Sequence, residues 1–191
     1  MQILNSPTRY GAVAQSFHWF AVALVILAWV LGVSDELLPK GTARATGLYI
    51  HISAGLLVIV LTVMRLLYRT ADPSPLAANT ELRNGALAGW MGLGAKLAHL
   101  GLYLLLVAVP LVGIAVQFAR GDPLPVFGLF DIASPWSADR AFARNLKGIH
   151  ELLAHGLLAL AALHAAAALV HHWVLKDRAL TRMLPGSDVN R

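Results

Sequence analysis

The chain contains no cysteine in its 191 residues. That excludes disulfides, thiolate-ligated iron–sulfur clusters and covalent haem attachment through C-x-x-C-H, and it leaves the compartment unreadable from this residue type. Charge is scarce too. Asp, Glu, Lys and Arg make up 13% of the residues, where an ordinary soluble domain has about 25%. Acidic residues are the scarcer sign, 10 against 15 basic. There is no nucleotide-binding glycine loop, no nucleophile elbow and no acid–base dyad, so side-chain covalent and hydrolytic chemistry has no carrier. The N-terminal stretch MQILNSPTRYGAVAQSFHWF shows no compact signal-peptide pattern ending in a small-residue cleavage site, and the first apolar span is expected to be retained.

What the chain has in abundance is apolar surface. Hydrophobic residues account for 58%, and the mean hydropathy of +0.65 is that of a membrane protein. Crossing the hydrocarbon core takes about 20 mostly apolar residues, and four segments meet this: 14–33, 49–68, 93–118 and 149–175. Connecting stretches carry turn signals, DPSP in 70–89 and GDPLP and SPW in 120–144. Pro110 stands inside the third span, a kink position that membrane helices tolerate. With no internal repeat, residues 1–191 read as a single domain, an all-α integral membrane four-helix antiparallel bundle.

Basic residues divide unevenly between the two ends. Arg9, Arg65, Arg69, Arg83, Lys96, Lys176, Arg178, Arg182 and Arg191 fall on the side of the termini; Lys40, Arg44, Arg120, Arg140, Arg144 and Lys147 fall opposite. The positive-inside rule therefore places both termini in the cytoplasm. The net charge of +5 belongs to helix ends and anionic lipid, with no nucleic-acid partner implied. The opposite face is unusually basic for an exported one.

The segment 147-KGIHELLAHGLLALAALHAAAALVHHW-173 places five histidines in the fourth span, where ionisable groups are expensive and mark function. His150 and His164 are 14 residues apart, about 21 Å of rise and only about 40° of net rotation. Both face one way at two depths. His51 in the second span shares the level of His150, and His18 in the first shares that of His164. Each pair can clamp a flat ring between helices, as a b-type haem takes two axial imidazoles. Gly55, Gly113 and the alanines 165–168 let backbones approach or leave room for a porphyrin. Helix–helix contacts and a proton relay use histidines at similar spacing, whereas a zinc or copper site needs ligands that converge on one point. His155 is about 140° around the helix from His150 and is expected to face elsewhere in a structural role. Trp19, Trp29, Trp90 and Trp173 are expected in the interfacial aromatic belts.

The motifs 15-QSFHWF-20, 49-YIHISAGLLVIVLTVMRLLYR-69, 109-VPLVGIAVQFARG-121 with FGL at 127–129, 146-LKGIHE-151, 163-LHAAAALVHHWVLKD-177 and 180-LTRMLP-185 resemble the bacterial cytochrome b561 family. They span nearly the whole chain. The resemblance implies a small inner-membrane cytochrome with two haem b groups, each bis-histidine ligated: His18 with His164 toward the cytoplasm, His51 with His150 toward the periplasm. It implies superoxide oxidation at the periplasmic face with ubiquinone as electron acceptor, a superoxide:ubiquinone oxidoreductase. Lys147, one turn before His150, and Arg144 are then the residues that attract superoxide, with Arg120 and Arg140 adding positive potential; pairing with Asp122, Asp131, Asp139 and Glu151 would instead neutralise that face. His171, on the face of His164, joins His172 and His99 as the expected polar wall of a quinone pocket, the other role for such histidines being to snorkel to headgroups. The alternative is an electron-carrier and anchor subunit of a membrane dehydrogenase or hydrogenase, with a partner subunit; a homo-oligomer is the remaining partner expectation.

Overall fold

The computed structural model describes residues 2–35, 37–73, 75 and 86–186, the side chains of 86–88 excepted. Arg83, Arg191 and most of the DPSP-bearing connection lie outside the described residues. Four long helices carry the fold: α1 (Ala12–Ser34), α2 (Thr42–Ala71), α3 (Ala86–Ala119) and α4 (Arg140–Trp173). All four are long and apolar enough to cross a membrane. Helix α1 packs along α2 and α3 along α4, with α2 joining α3 between the two hairpins; α1 and α4 barely touch. At the α2–α3 crossing a Cβ added to Gly55 would lie 3.7 Å from Cβ of Pro110, and α3 runs unbroken through that proline.

Three helices exceed the bilayer. At 30 to 34 residues they are roughly 45–50 Å long, against about 30 Å of hydrocarbon. Hydropathy registers only the lipid-embedded part, which is why α2 begins seven residues and α4 nine residues before the starts expected at 49 and 149. The early start of α4 has a local cause. Asp139 caps it by accepting from the backbone N–H groups of Ala141 and Phe142 at 2.9 and 3.0 Å. Its own N–H donates to the Ala119 carbonyl at 2.9 Å, tying the start of α4 to the end of α3.

The third connection, expected as an irregular loop, contains a small antiparallel hairpin of β1 (Leu124–Val126) and β2 (Phe130–Ile132). Its turn places Phe127 and Gly128 at positive φ. A Cβ on Gly128 would meet the Tyr49 hydroxyl at 2.7 Å, so the turn rests directly on α2. Ser134 Oγ donates to the Phe118 carbonyl, and Trp136 packs between Phe118 and Phe142. The loop is thus anchored over one end of the bundle, called here the hairpin end. At the terminal end, the N-terminal segment and residues 182–184 are stitched together: Arg9 donates to the Leu184 carbonyl, Trp19 Nε1 to that of Met183, and Asn5 binds Asp72 at the foot of α2.

Candidate functional site

A cavity of about 600 Å³ lies at the hairpin end between the two helical hairpins. His51 of α2 and His150 of α4 face each other in it, ring centroids 5.9 Å apart and planes at 78°. Each ring is held from behind. His51 Nδ1 lies 2.8 Å from the Ala28 carbonyl of α1, and His150 Nδ1 lies 3.0 Å from the Val109 carbonyl of α3. A carbonyl only accepts, so Nδ1 carries the hydrogen in both rings and each neutral Nε2 keeps its lone pair. This is the tautomer of a metal-ligating histidine with its usual backbone partner. Glycine gives each ring its berth: a Cβ on Gly32 would approach His51 Cε1 to 3.3 Å, and one on Gly113 would approach His150 Cε1 to 3.1 Å.

These residues fit a haem. Two nitrogens each about 2 Å from one metal put opposed imidazole centres about 6 Å apart, the spacing seen. The cavity also contains an orphan donor. Trp29 lines it, and its Nε1–H is buried with no hydrogen-bond partner among the described residues, a condition that buried polar groups rarely tolerate without a further ligand. Trp29 is therefore a cavity residue, where an aromatic-belt position was expected. His155 lines the cavity as well, edge to face with Trp29 at 6.2 Å. The lining positions on α4, from Lys147 through Glu151 and Ala154 to Leu158, sweep roughly 160° of the helix, so the 140° between His150 and His155 still leaves both on the wall.

The cavity mouth is charged. Lys40, Arg44, Arg120 and Lys147 line it with Asp35 and Glu151. Arg44 holds Asp35 through two nitrogens, Nε at 3.0 Å; that hydrogen bond, ahead of the charges of Arg44, Lys147 and Arg120, holds the Asp35 carboxyl below its ordinary range despite partial burial. Lys147 Nζ lies 3.2 Å from Glu151 Oε1. Among the described residues Lys40 and Arg120 make no ion pair. Among the described residues four basic groups thus face two acidic ones. Arg144 is exposed in the first turns of α4 and does not line the cavity. Asp139 caps α4 and does not line the cavity.

A second cluster of rings sits toward the terminal end. His164 of α4 meets His99 of α3 edge to face, centroids 5.1 Å apart at 72°. His18 of α1 lies within electrostatic reach of His164, His99 and Arg65. Arg65 Nη1 is 3.4 Å from His18 Nδ1, the long limit of a hydrogen bond, and its guanidinium also sits over the Tyr103 ring at 5.8 Å. The three histidines expected to line a quinone pocket have different neighbours: His99 has His164, His171 binds the Asp177 carboxylate, and His172 stacks beside Trp173. What pattern reading missed is His99 at His164. Its depth was legible, but which neighbour a ring on α3 meets depends on how α3 and α4 are rotated about their axes.

Comparison with known proteins adds an independent line. The family model for prokaryotic cytochrome b561 matches residues 9–186. The chain is similar to cytochrome b561 homolog 2 of Escherichia coli K12, with 33% identity over 96% of this chain and 95% of that protein. It is similar to the probable superoxide oxidase CybB of Yersinia pestis, with 34% identity over 93% of this chain and 96% of the relative. A cytochrome b562 of Cereibacter sphaeroides matches at 29% identity over 95% and 98% of the two chains.

Proposed function

The chain belongs to the prokaryotic cytochrome b561 family of haem-binding membrane electron-transfer proteins, and from that premise we propose that it takes electrons from superoxide at its hairpin end and delivers them to ubiquinone. The observation that carries the reading is the hairpin-end cavity: two opposed imidazoles with Nε2 turned from their carbonyl partners behind a mouth that is net basic among the described residues.

Haem b, when bound, supplies the one-electron couple. His51 and His150 would hold one group and His18 and His164 a second, nearer the terminal end. The Ala28 and Val109 carbonyls fix ring orientation at the first site, and a haem held by two imidazoles would exchange electrons with oxygen species without binding them. Lys40, Arg120 and Lys147 raise the local concentration of a small anion, which shortens its search for the site. Arg144 adds field from farther out. Two superoxide anions each give one electron and leave as dioxygen; the two electrons with two protons convert ubiquinone to ubiquinol. The terminal end, with His171 and His172, receives the quinone, and both termini lie in the cytoplasm.

The test is spectral and kinetic. The detergent-purified protein should show a low-spin b-type reduced-minus-oxidised spectrum with two haems per chain. Superoxide should reduce it, with added quinone reoxidising it, and the reduction rate should fall with ionic strength. A single haem per chain would remove one of the clamps. A salt-independent rate, or reduction only when a co-purifying dehydrogenase subunit is present, would replace superoxide as donor.

A further inference from the structure

His164 differs from the paired histidines of the cavity in what stands behind it. His51 and His150 each give Nδ1–H to a backbone carbonyl of a neighbouring helix. His164 has no hydrogen bond to any group among the described residues; its close neighbour is the His99 ring at 5.1 Å. His99 is itself oriented. Its Nδ1 lies 2.7 Å from the Ala95 carbonyl one turn earlier in α3, so Nδ1 is the donor and the neutral ring keeps its lone pair on Nε2. Two imidazoles joined by an N–H···N bond have centres about 5 Å apart; these two rings have that separation but meet edge to face at 72°, so a turn of a ring, with no movement of the helices, is what a bond between them requires.

We infer that His99 is the acceptor to which His164 turns its free ring N–H once its other ring nitrogen holds metal, filling for that ligand the place that the Ala28 and Val109 carbonyls fill for His51 and His150. It is a positioning residue: it touches neither donor nor acceptor of electrons and acts through His164. The inference rests on the reading of His164 as an axial ligand. A metal-bound imidazole almost always donates its second ring N–H to an acceptor, which fixes the ring and raises its basicity. A more basic ligand favours the oxidised metal, so this contact lowers the reduction potential of one haem and leaves the other alone.

The experiment is a spectroelectrochemical titration of the holoprotein in detergent, resolved into its two haems, for wild type, His99→Leu, His99→Gln and His164→Ala. In His99→Leu one midpoint should rise by about a tenfold shift of the one-electron equilibrium, ~59 mV, with the other unmoved. Gln retains an acceptor oxygen, so His99→Gln should restore at least half of that shift, and it serves as the folding-safe variant if Leu disturbs the bundle. Unchanged midpoints in both His99 variants would overturn the inference, as would equal movement of both haems or an equal shift in Leu and Gln. His164→Ala separates the premise. Loss of one low-spin haem supports the ligand reading, while two intact low-spin haems in that variant would overturn it irrespective of the His99 result.

Discussion

Each of the facing imidazoles of His51 and His150 is anchored through Nδ1 to a carbonyl of a different helix, Ala28 of α1 and Val109 of α3. One pair of side chains on α2 and α4 therefore draws on all four helices for its orientation. Because the acceptors are main-chain atoms, no single substitution deletes them. The vulnerable elements are the small residues that let the rings reach their carbonyls.

Gly113 is the clearest of these. A Cβ there would lie 3.1 Å from His150 Cε1 and 3.4 Å from Nδ1, and the γ-methyls of valine would fill the ring's own place. With two haems per chain as proposed, Gly113→Val should lose the hairpin-end haem and keep the other, halving haem per chain. Gly32→Ala, with its Cβ 3.3 Å from His51 Cε1, should be milder, retaining the haem with a shifted band. Haem counting against protein mass checks both, and full occupancy in Gly113→Val would move the haem away from His150.

The electrostatic reading separates residues by position. Lys40 and Arg120 line the mouth without an ion pair among the described residues, whereas Arg144 lies off the cavity. Lys40→Glu and Arg120→Glu should each slow reduction by superoxide about threefold or more at low salt and flatten the salt dependence. Lys147→Glu should slow it as well, adding a second acid beside Glu151. Arg144→Glu should have the smallest effect. Stopped-flow rates at graded ionic strength order the four; an Arg144 effect equal to that of Arg120 would mean that general face charge, and not the mouth, governs encounter.

The Arg44–Asp35 pair ties the α1–α2 turn at that mouth. Arg44 holds the folded Asp35 carboxyl below its ordinary value of 3.8. A depressed folded pKa means a stabilising contribution that is present in full above the unfolded pKa and lost as pH falls through the folded one. Both side chains are about one-third exposed, so the contribution is roughly 0–1 kcal/mol. Asp35→Asn should lower the thermal midpoint slightly and equally between pH 5 and 7. The gap to wild type should begin to narrow below about pH 4 and go on narrowing as pH falls through the depressed folded value. A gap as wide at pH 3 as at pH 6 would assign it to packing of the turn.

Much of this was legible because histidine spacing along a helix converts directly into depth and direction. The facing of His51 and His150 needed only the helical rise and the order of the spans, whereas the ring that meets His164 is that of His99. Three features were not legible, each for a physical reason. The carbonyls behind His51 and His150 are backbone atoms, available at any residue type. His155 reaches the cavity because its wall covers a broad arc of α4, which a single axial direction does not convey, and Trp29 of α1 meets it there edge to face. The first turns of α4 rest on the Asp139 cap and the strap to Ala119, outside the hydrocarbon that hydropathy measures.

Orientation rests on charge counting alone, and the missing cysteines make it directly testable. Any introduced cysteine is the only thiol in the chain. Leu129 is 79% exposed in the hairpin turn, and Arg178 is exposed beyond α4 at the other end. Neither side chain holds a described contact of the haem clusters, so Leu129→Cys and Arg178→Cys should fold and retain haem. With the basic terminal end in the cytoplasm, a membrane-impermeant maleimide applied to intact spheroplasts should label Leu129→Cys and spare Arg178→Cys until the membrane is opened. The reverse pattern would turn the molecule over. The cavity and its basic mouth would then face the cytoplasm, and the donor would have to be sought there.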